Sequence, residues 1–206
     1  MRHNLSSPAN SSDEDTSAVE RPQTEEVGRS YALRLLIHYL GDVHQPLHCS
    51  SRVDKSFPEG DKGGNMFPLP NHYESDDLHA VWDSVLYNYH GRYVLPFTDA
   101  SYLQLAQDAD DLLAKHRNIT SLLESQSLSI DVEAWAGESH RVAPQAYNGA
   151  VQNEKLSEGY LEGNLSQLEQ LIIKGGFRLA HLLEHIFNET TGCPQAYAGY
   201  GESFLA

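Results

Sequence analysis

From Val27 onward the apolar positions recur mostly at intervals of three and four, and no alternation long enough for a strand appears, so the pattern predicts helices. Tyr31, Leu33, Leu35, Leu36, Ile37 and Leu40 give a helix with a wide apolar face, expected to be largely buried and stopped by Gly41 and Pro46. Residues 49–75 carry Pro58, Gly60, Gly63, Gly64, Pro68 and Pro70 and read as one long irregular loop. Leu78, Val81, Trp82, Val85 and Leu86 then resume helical spacing. Tyr102, Leu105, Ala109, Leu112 and Leu113 form an amphipathic stretch, and another runs from Ile130 to about Tyr147 with Ser129 as its N-cap. The last helix is expected to open at Asn164, which with Gln167 approximates a capping box, and to run Leu168, Leu171, Ile172, Leu179, Leu182, Leu183 and Ile186 along one face. Gly175 and Gly176 interrupt it at about 1 kcal/mol each relative to Ala, so a close approach by another part of the chain is expected there. The fold class is all-α.

Composition sets the limits of the domain. Residues 1–26 are rich in Ser, Asp, Glu, Pro and Asn, too polar to offset the entropy of ordering, and read as a disordered tail before one helical domain at 27–206. No stretch approaches the roughly 18 uncharged apolar residues of a membrane span. With 14 Lys+Arg against 29 Asp+Glu the formal charge is −15, which excludes a protein that grips nucleic acid by a broad basic surface. Protonating all 11 His would bring that charge to −4, so repulsion toward an anionic substrate fades below about pH 6. Sequons at Asn4, Asn10, Asn118, Asn164 and Asn188 point to the secretory route, although the first 20 residues hold no apolar signal core. Cys49 and Cys193 are too few for a disulfide scaffold and lack C-x-x-C spacing.

The candidate chemistry lies between His38 and Asp83. His38 and Asp42 stand four apart, hence on one helix face, and His79 and Asp83 repeat the H-x-x-x-D spacing in a second helix. An isolated pair is more often an ordinary histidine–carboxylate contact; two pairs in one small chain point instead to metal. His48, just after Pro46 ends the first helix, completes a His2Asp set with His79 and Asp83, a common zinc arrangement that leaves a fourth position for water or substrate. His44 and His72 have no partner at helical spacing and read as loop or rim histidines. His181 and His185 lack a third ligand, and His140 reads as structural. Phosphate-cradling glycine loops and the G-x-S-x-G elbow are absent from the sequence.

The ordered set LLIHYLGDVHQPLH, GGN, DLHAVWD, WAGES and IIKGGFRLAHLL resembles the S1/P1 nuclease family, helical zinc enzymes that cut single-stranded nucleic acid. The resemblance implies the helical bundle of the phospholipase C/P1 nuclease type, with three zinc ions, 5′-phosphate products, 3′-nucleotidase activity, and single-stranded DNA, RNA or nucleotides as substrates. It implies that His38 and Asp42 belong to a two-zinc cluster, with Asp42 bridging, and that His48, His79 and Asp83 are all the protein ligands of the remaining zinc. Asn65 matches a loop that borders the family's cleft. The family's N-terminal ligands and its catalytic Asp have no counterpart, so the chain reads as an N-terminally truncated member with one complete zinc site, no identifiable catalytic side chain and no obligate protein partner. Two other readings stay open: a catalytically impaired zinc-binding glycoprotein, and a zinc phospholipase C-like phosphodiesterase. The resemblance further implies secretion, glycosylation at Asn118, Asn164 and Asn188, and a Cys49–Cys193 disulfide that constrains the long loop by roughly 4 kcal/mol.

Overall fold

The computed structural model describes residues 25–89, 93–125 and 129–191. Six helices carry the fold: α1 (Glu25–Asp42), α2 (Leu78–Asp83), α3 (Asp99–Lys115), α4 (Arg117–Ser125), α5 (Val132–Tyr147) and α6 (Glu158–Thr191). A 3-10 turn at Pro46–Cys49 follows α1, and a two-stranded antiparallel hairpin, β1 (Pro68–His72) and β2 (Ser75–Asp77), precedes α2. The protein is mostly helical, as the periodicity predicts. The chain divides into two units within α1, residues 1–35 and 36–206.

In the first unit α1 begins at Glu25 rather than after residue 26, with Glu25 and Glu26 in the first turn, where acidic side chains favour the positive end of the helix dipole. Residues 1–24, to which the disordered-tail reading applies, lie outside the described residues. Contrary to expectation α1 is mostly exposed and only Leu40 is buried. Its apolar residues surround the helix; Leu36 and Leu40 meet Trp135 on α5 and Leu179, Leu182 and Ile186 on α6, whereas Ile37 and Tyr39 are exposed.

The main core of the second unit joins Leu47 of the 3-10 turn, Phe57 and Phe67 of the long loop, Leu78, Val81 and Trp82 of α2, Val142 and Ala146 of α5, and Tyr160, Leu168 and Leu171 of α6. Its polar tips are satisfied internally: Trp82 Nε1 donates to Tyr160 Oη at 2.8 Å, and Tyr160 donates to the Ala146 carbonyl at 2.6 Å. That anchoring explains why α6 starts at Glu158, six residues before the expected cap. Ser157 accepts from Tyr160 N instead, and Asn164 lies inside the helix, donating to the Tyr160 carbonyl. Asn164 is buried, so its Nδ2 does not fit a glycan acceptor; Asn118 and Asn188 are exposed. Asp131, not Ser129, caps α5 by accepting from Ala134 N.

The hairpin escaped the sequence reading because its turn has no glycine. Tyr73 and Glu74 both adopt positive φ, 51° and 62°, in a two-residue link usually built from Asn-Gly. Likewise α2 ends at Asp83, and the buried Val85 and Leu86 follow in left-handed conformation instead of prolonging the helix.

His44 is buried, not a rim residue. Its Nδ1 donates to the Leu40 carbonyl at 2.7 Å, so its Nε2 accepts from Arg178 at 2.9 Å, and Arg178 in turn pairs with Glu138 at 2.8 Å. Burial lowers the His44 pKa; the Leu40 bond opposes that shift and the Arg178 charge adds to it. Burial by itself would raise the Glu138 carboxyl, but the bonds from Arg178 and Lys174 hold it below its ordinary range. A Cβ on Gly175 would stand 3.2 Å from the His44 ring, whereas Gly176 has open space around it. The close approach expected at the glycine pair therefore occurs at Gly175 alone.

Two predictions follow from this network. Gly176→Ala should raise stability by about 0.5–1 kcal/mol through helix propensity, while Gly175→Ala should lower it, as read by urea unfolding midpoints. Because the folded state favours neutral His44, its contribution is complete above the unfolded pKa near 6.5 and is lost as pH falls below that value. The difference in unfolding midpoint between pH 7 and pH 5 should accordingly shrink in His44→Gln.

Candidate metal centre

The 3-10 turn, the glycine loop and α2 bring the donors together. Asp77 caps α2 by accepting from Ala80 N at 2.8 Å, which starts the helix at Leu78 and sets His79 in its first turn. Asp83 follows one turn later, and the two side chains lie 3.5 Å apart from Nε2 to Oδ2. His48 approaches from the 3-10 turn, with its Nε2 3.1 Å from His79 Nε2 and 3.4 Å from Asp83 Oδ1. A tetrahedral zinc with bonds of about 2.0–2.1 Å sets its donors about 3.3 Å apart. The His48–His79 and His79–Asp83 Oδ2 spacings bracket that value, while the 3.4 Å contact of His48 is with the other Asp83 oxygen, Oδ1. With one donor atom from each residue, all within 4.8 Å of one another, this trio is the one such group of three or more His, Cys, Asp or Glu side chains among the described residues.

The glycine loop fixes the chemistry of His79. Its Nδ1 lies 2.7 Å from the Gly63 carbonyl, an oxygen that can only accept, so Nδ1 carries the proton and Nε2 presents a lone pair to the cluster. Gly63 is required twice over: its φ is 65°, and a Cβ there would clash with the Leu47 carbonyl oxygen. Gly64 runs close beside α2, where a Cβ would lie 3.3 Å from His79 N. The loop itself is pinned by the fully buried Asp61, whose carboxylate accepts from Arg52 N at 2.9 Å and from the Tyr147 hydroxyl at 2.7 Å. Burial and that acid both raise the Tyr147 pKa, so the phenol stays a donor.

The second pair lies alongside. His38 Nε2 is 3.4 Å from Asp42 Oδ2, and that same oxygen is 4.0 Å from His48 Nδ1, so His38, Asp42, His48, Asp83 and His79 form one continuous row. All five sequence-predicted ligands are thus brought together. Asn65 is exposed in the glycine loop and donates to the Lys62 carbonyl at 2.8 Å. His72 meets Tyr73 at a tilt and Tyr87 edge-on and is not in the converging trio, and His140 donates to the Cys49 carbonyl at 2.9 Å, a structural role. His181 and His185 lie on α6 outside the converging trio. Cys193, the expected partner of Cys49, lies outside the described residues.

Sequence reasoning missed the supporting groups: Gln45, which donates to Asp83 Oδ1 at 2.8 Å, the Gly63 carbonyl, and Asp61. Gln45 stood inside the quoted HQPLH run, and Gly63 inside GGN. A backbone carbonyl leaves no mark in the sequence beyond the glycine that lets it approach.

The S1/P1 Nuclease family model matches residues 8–188. Endonuclease 1 of Arabidopsis thaliana is 29% identical over 166 residues, covering 77% of this chain and 50% of its own length. Endonuclease 4 of the same plant is 31% identical over 165 residues, covering 76% and 50%. Nuclease S1 of Aspergillus oryzae is 27% identical over 177 residues, covering 77% and 55%. The chain spans about half the length of the curated relatives it matches.

Because the obstacle at Gly63 is backbone, relief requires moving the loop. Gly63→Ala should destabilise the protein by about 3 kcal/mol or more in denaturant unfolding, far beyond an ordinary surface glycine change.

Proposed function

The chain belongs to the S1/P1 nuclease family, and from that premise we propose that it is a zinc-dependent nuclease of single-stranded DNA and RNA that leaves 5′-phosphate ends and also removes 3′-phosphate from nucleotides. The observation that carries this reading is the convergence of one donor atom each from His48, His79 and Asp83 within 4.8 Å of one another, with the two imidazole nitrogens 3.1 Å apart. Two facing imidazole nitrogens and a carboxylate repel one another unless a proton or cation lies between them, and nitrogen with oxygen donors suits zinc. Three protein donors with one open position is the arrangement of a catalytic rather than a structural site. Zinc there supplies Lewis-acid polarisation of a phosphoryl oxygen and activation of water.

The chain's own groups set the charge and the approach. Asp83 contributes the single negative charge of the trio, so the loaded set stays positive toward a phosphate although the chain carries −15. His38 and Asp42 extend the donor row, with Asp42 in position to be shared, and Asn65 borders the approach as a substrate contact. The matched relatives are named endonucleases and nucleases, which favours this activity over a phospholipase C-like one. A secretory route goes with the exposed sequons Asn118 and Asn188 and with a Cys49–Cys193 disulfide; among the described residues no helix is long and apolar enough to cross a membrane.

A second reading, a zinc-binding protein with impaired catalysis, is favoured by one observation: beside Asp42 the described residues offer His38 but no further set of three donors. Metal analysis and cleavage of single-stranded DNA near pH 5 distinguish the two. The nuclease reading expects chelator-sensitive cleavage that zinc restores, and bound zinc that drops by about one ion per chain in His79→Ala and Asp83→Ala. Bound zinc without cleavage would leave the impaired form, and zinc content unchanged by both substitutions would remove the metal site altogether.

A further inference from the structure

Gln45 occupies a place that none of the ligand positions explains. It is the residue before the 3-10 turn, and its side-chain oxygen accepts from Leu47 N, capping that turn. A backbone N–H can only donate, so this contact fixes the orientation of the amide: Oε1 faces Leu47, and Nε2 is the end that points away. That end lies 2.8 Å from Asp83 Oδ1, across 38 residues of sequence. Asp83 is the most exposed member of the trio, with 48% of its side chain accessible against 31% for His48 and 13% for His79. Its carboxylate ends a six-residue helix, and among the described residues Gln45 is the neutral side chain that holds it.

From this geometry we infer that Gln45 is a positioning residue for the metal site, holding Asp83 Oδ1 so that Oδ2 is the single ligating oxygen. The inference rests on the reading of His48, His79 and Asp83 as a metal set. A carboxylate with both oxygens free can turn and grip an ion through both; with Oδ1 engaged by an N–H donor it binds through one, which keeps the fourth position open. Gln45 also ties two ligands to each other. The capped turn carries His48 three residues on, and the same side chain reaches Asp83, so the spacing between ligands from α2 and from the turn is fixed by one amide. Both jobs need the length of glutamine: asparagine or serine can cap the turn but cannot span to Asp83.

Gln45→Ser and Gln45→Asn separate positioning from capping. Zinc affinity, measured by competition with a chromophoric chelator, should fall about 10–100-fold in both variants. The visible bands of the cobalt-substituted protein should weaken and shift as Asp83 turns to bind through both oxygens. The unfolding midpoint of the metal-free protein should stay at the wild-type value. Wild-type affinity and an unchanged cobalt spectrum in the variants would overturn the inference while leaving the metal site intact. An affinity loss seen only together with a lowered metal-free midpoint would assign Gln45 the cap alone and overturn it as well. Absence of zinc binding in the wild-type protein would instead overturn the metal reading on which the inference stands.

Discussion

A carbonyl oxygen accepts and never donates, so the 2.7 Å contact between Gly63 and His79 Nδ1 commits that ring to one tautomer and turns its other nitrogen toward His48 and Asp83. Much of the local structure serves to hold that carbonyl in place. Gly63 and Gly64 let the loop pass between Leu47 and the start of α2, Asp61 ties it to Arg52 and Tyr147, and Phe67 sinks beside it into the core. The cost of such an arrangement is positive φ at Gly63 and Gly64 and a buried carboxylate that must be fully hydrogen-bonded.

On the other side of the site the turn that carries His48 is clamped by groups that never touch the donor row. His44 links the end of α1 to Arg178 on α6, Arg178 and Lys174 share Glu138 on α5, and His140 on α5 donates to Cys49. Three elements are thereby locked to eight residues of chain, Asp42 to Cys49, that contain two predicted ligands and Gln45. Removing one member of such a buried network leaves its partners unpaired, so it acts as a unit. The Gly175 contact with the His44 ring is the packing counterpart of the same clamp.

How much of this was legible follows from what side-chain pattern encodes. Apolar spacing along one helix face revealed α5 and α6, where it matches burial, and α3, although α3 buries none of its residues; H-x-x-x-D revealed both donor pairs because four residues is one helical turn. The hairpin was illegible: Tyr73 and Glu74 take conformations normally left to glycine, and Pro68 and Pro70 read as breakers. The start of α6 was misjudged because Asn164 looks like a cap to local rules, while the bonds of Tyr160 to Trp82 and Ala146, 78 and 14 residues away, extend the helix past it. His44 looked like a loop residue for the same reason, since its partner Arg178 is 134 residues distant. The ligands could be read because their chemistry is in the side chain; what orients them is largely backbone geometry or long-range contact.

These constraints pull the protein's working range in opposite directions. A chain of charge −15 repels an anionic substrate, and protonating surface histidines relieves this as the medium acidifies. Imidazole nitrogens that hold a metal must be neutral, however, and a proton on either weakens the hold on the ion. Burial and the Arg178 charge likewise set His44 against accepting a proton, so the clamp behind His48 weakens over the same interval. In a nuclease of the proposed kind, the easier approach of an anionic substrate in acid would therefore be limited by the His44 clamp and by the need for neutral ligand histidines.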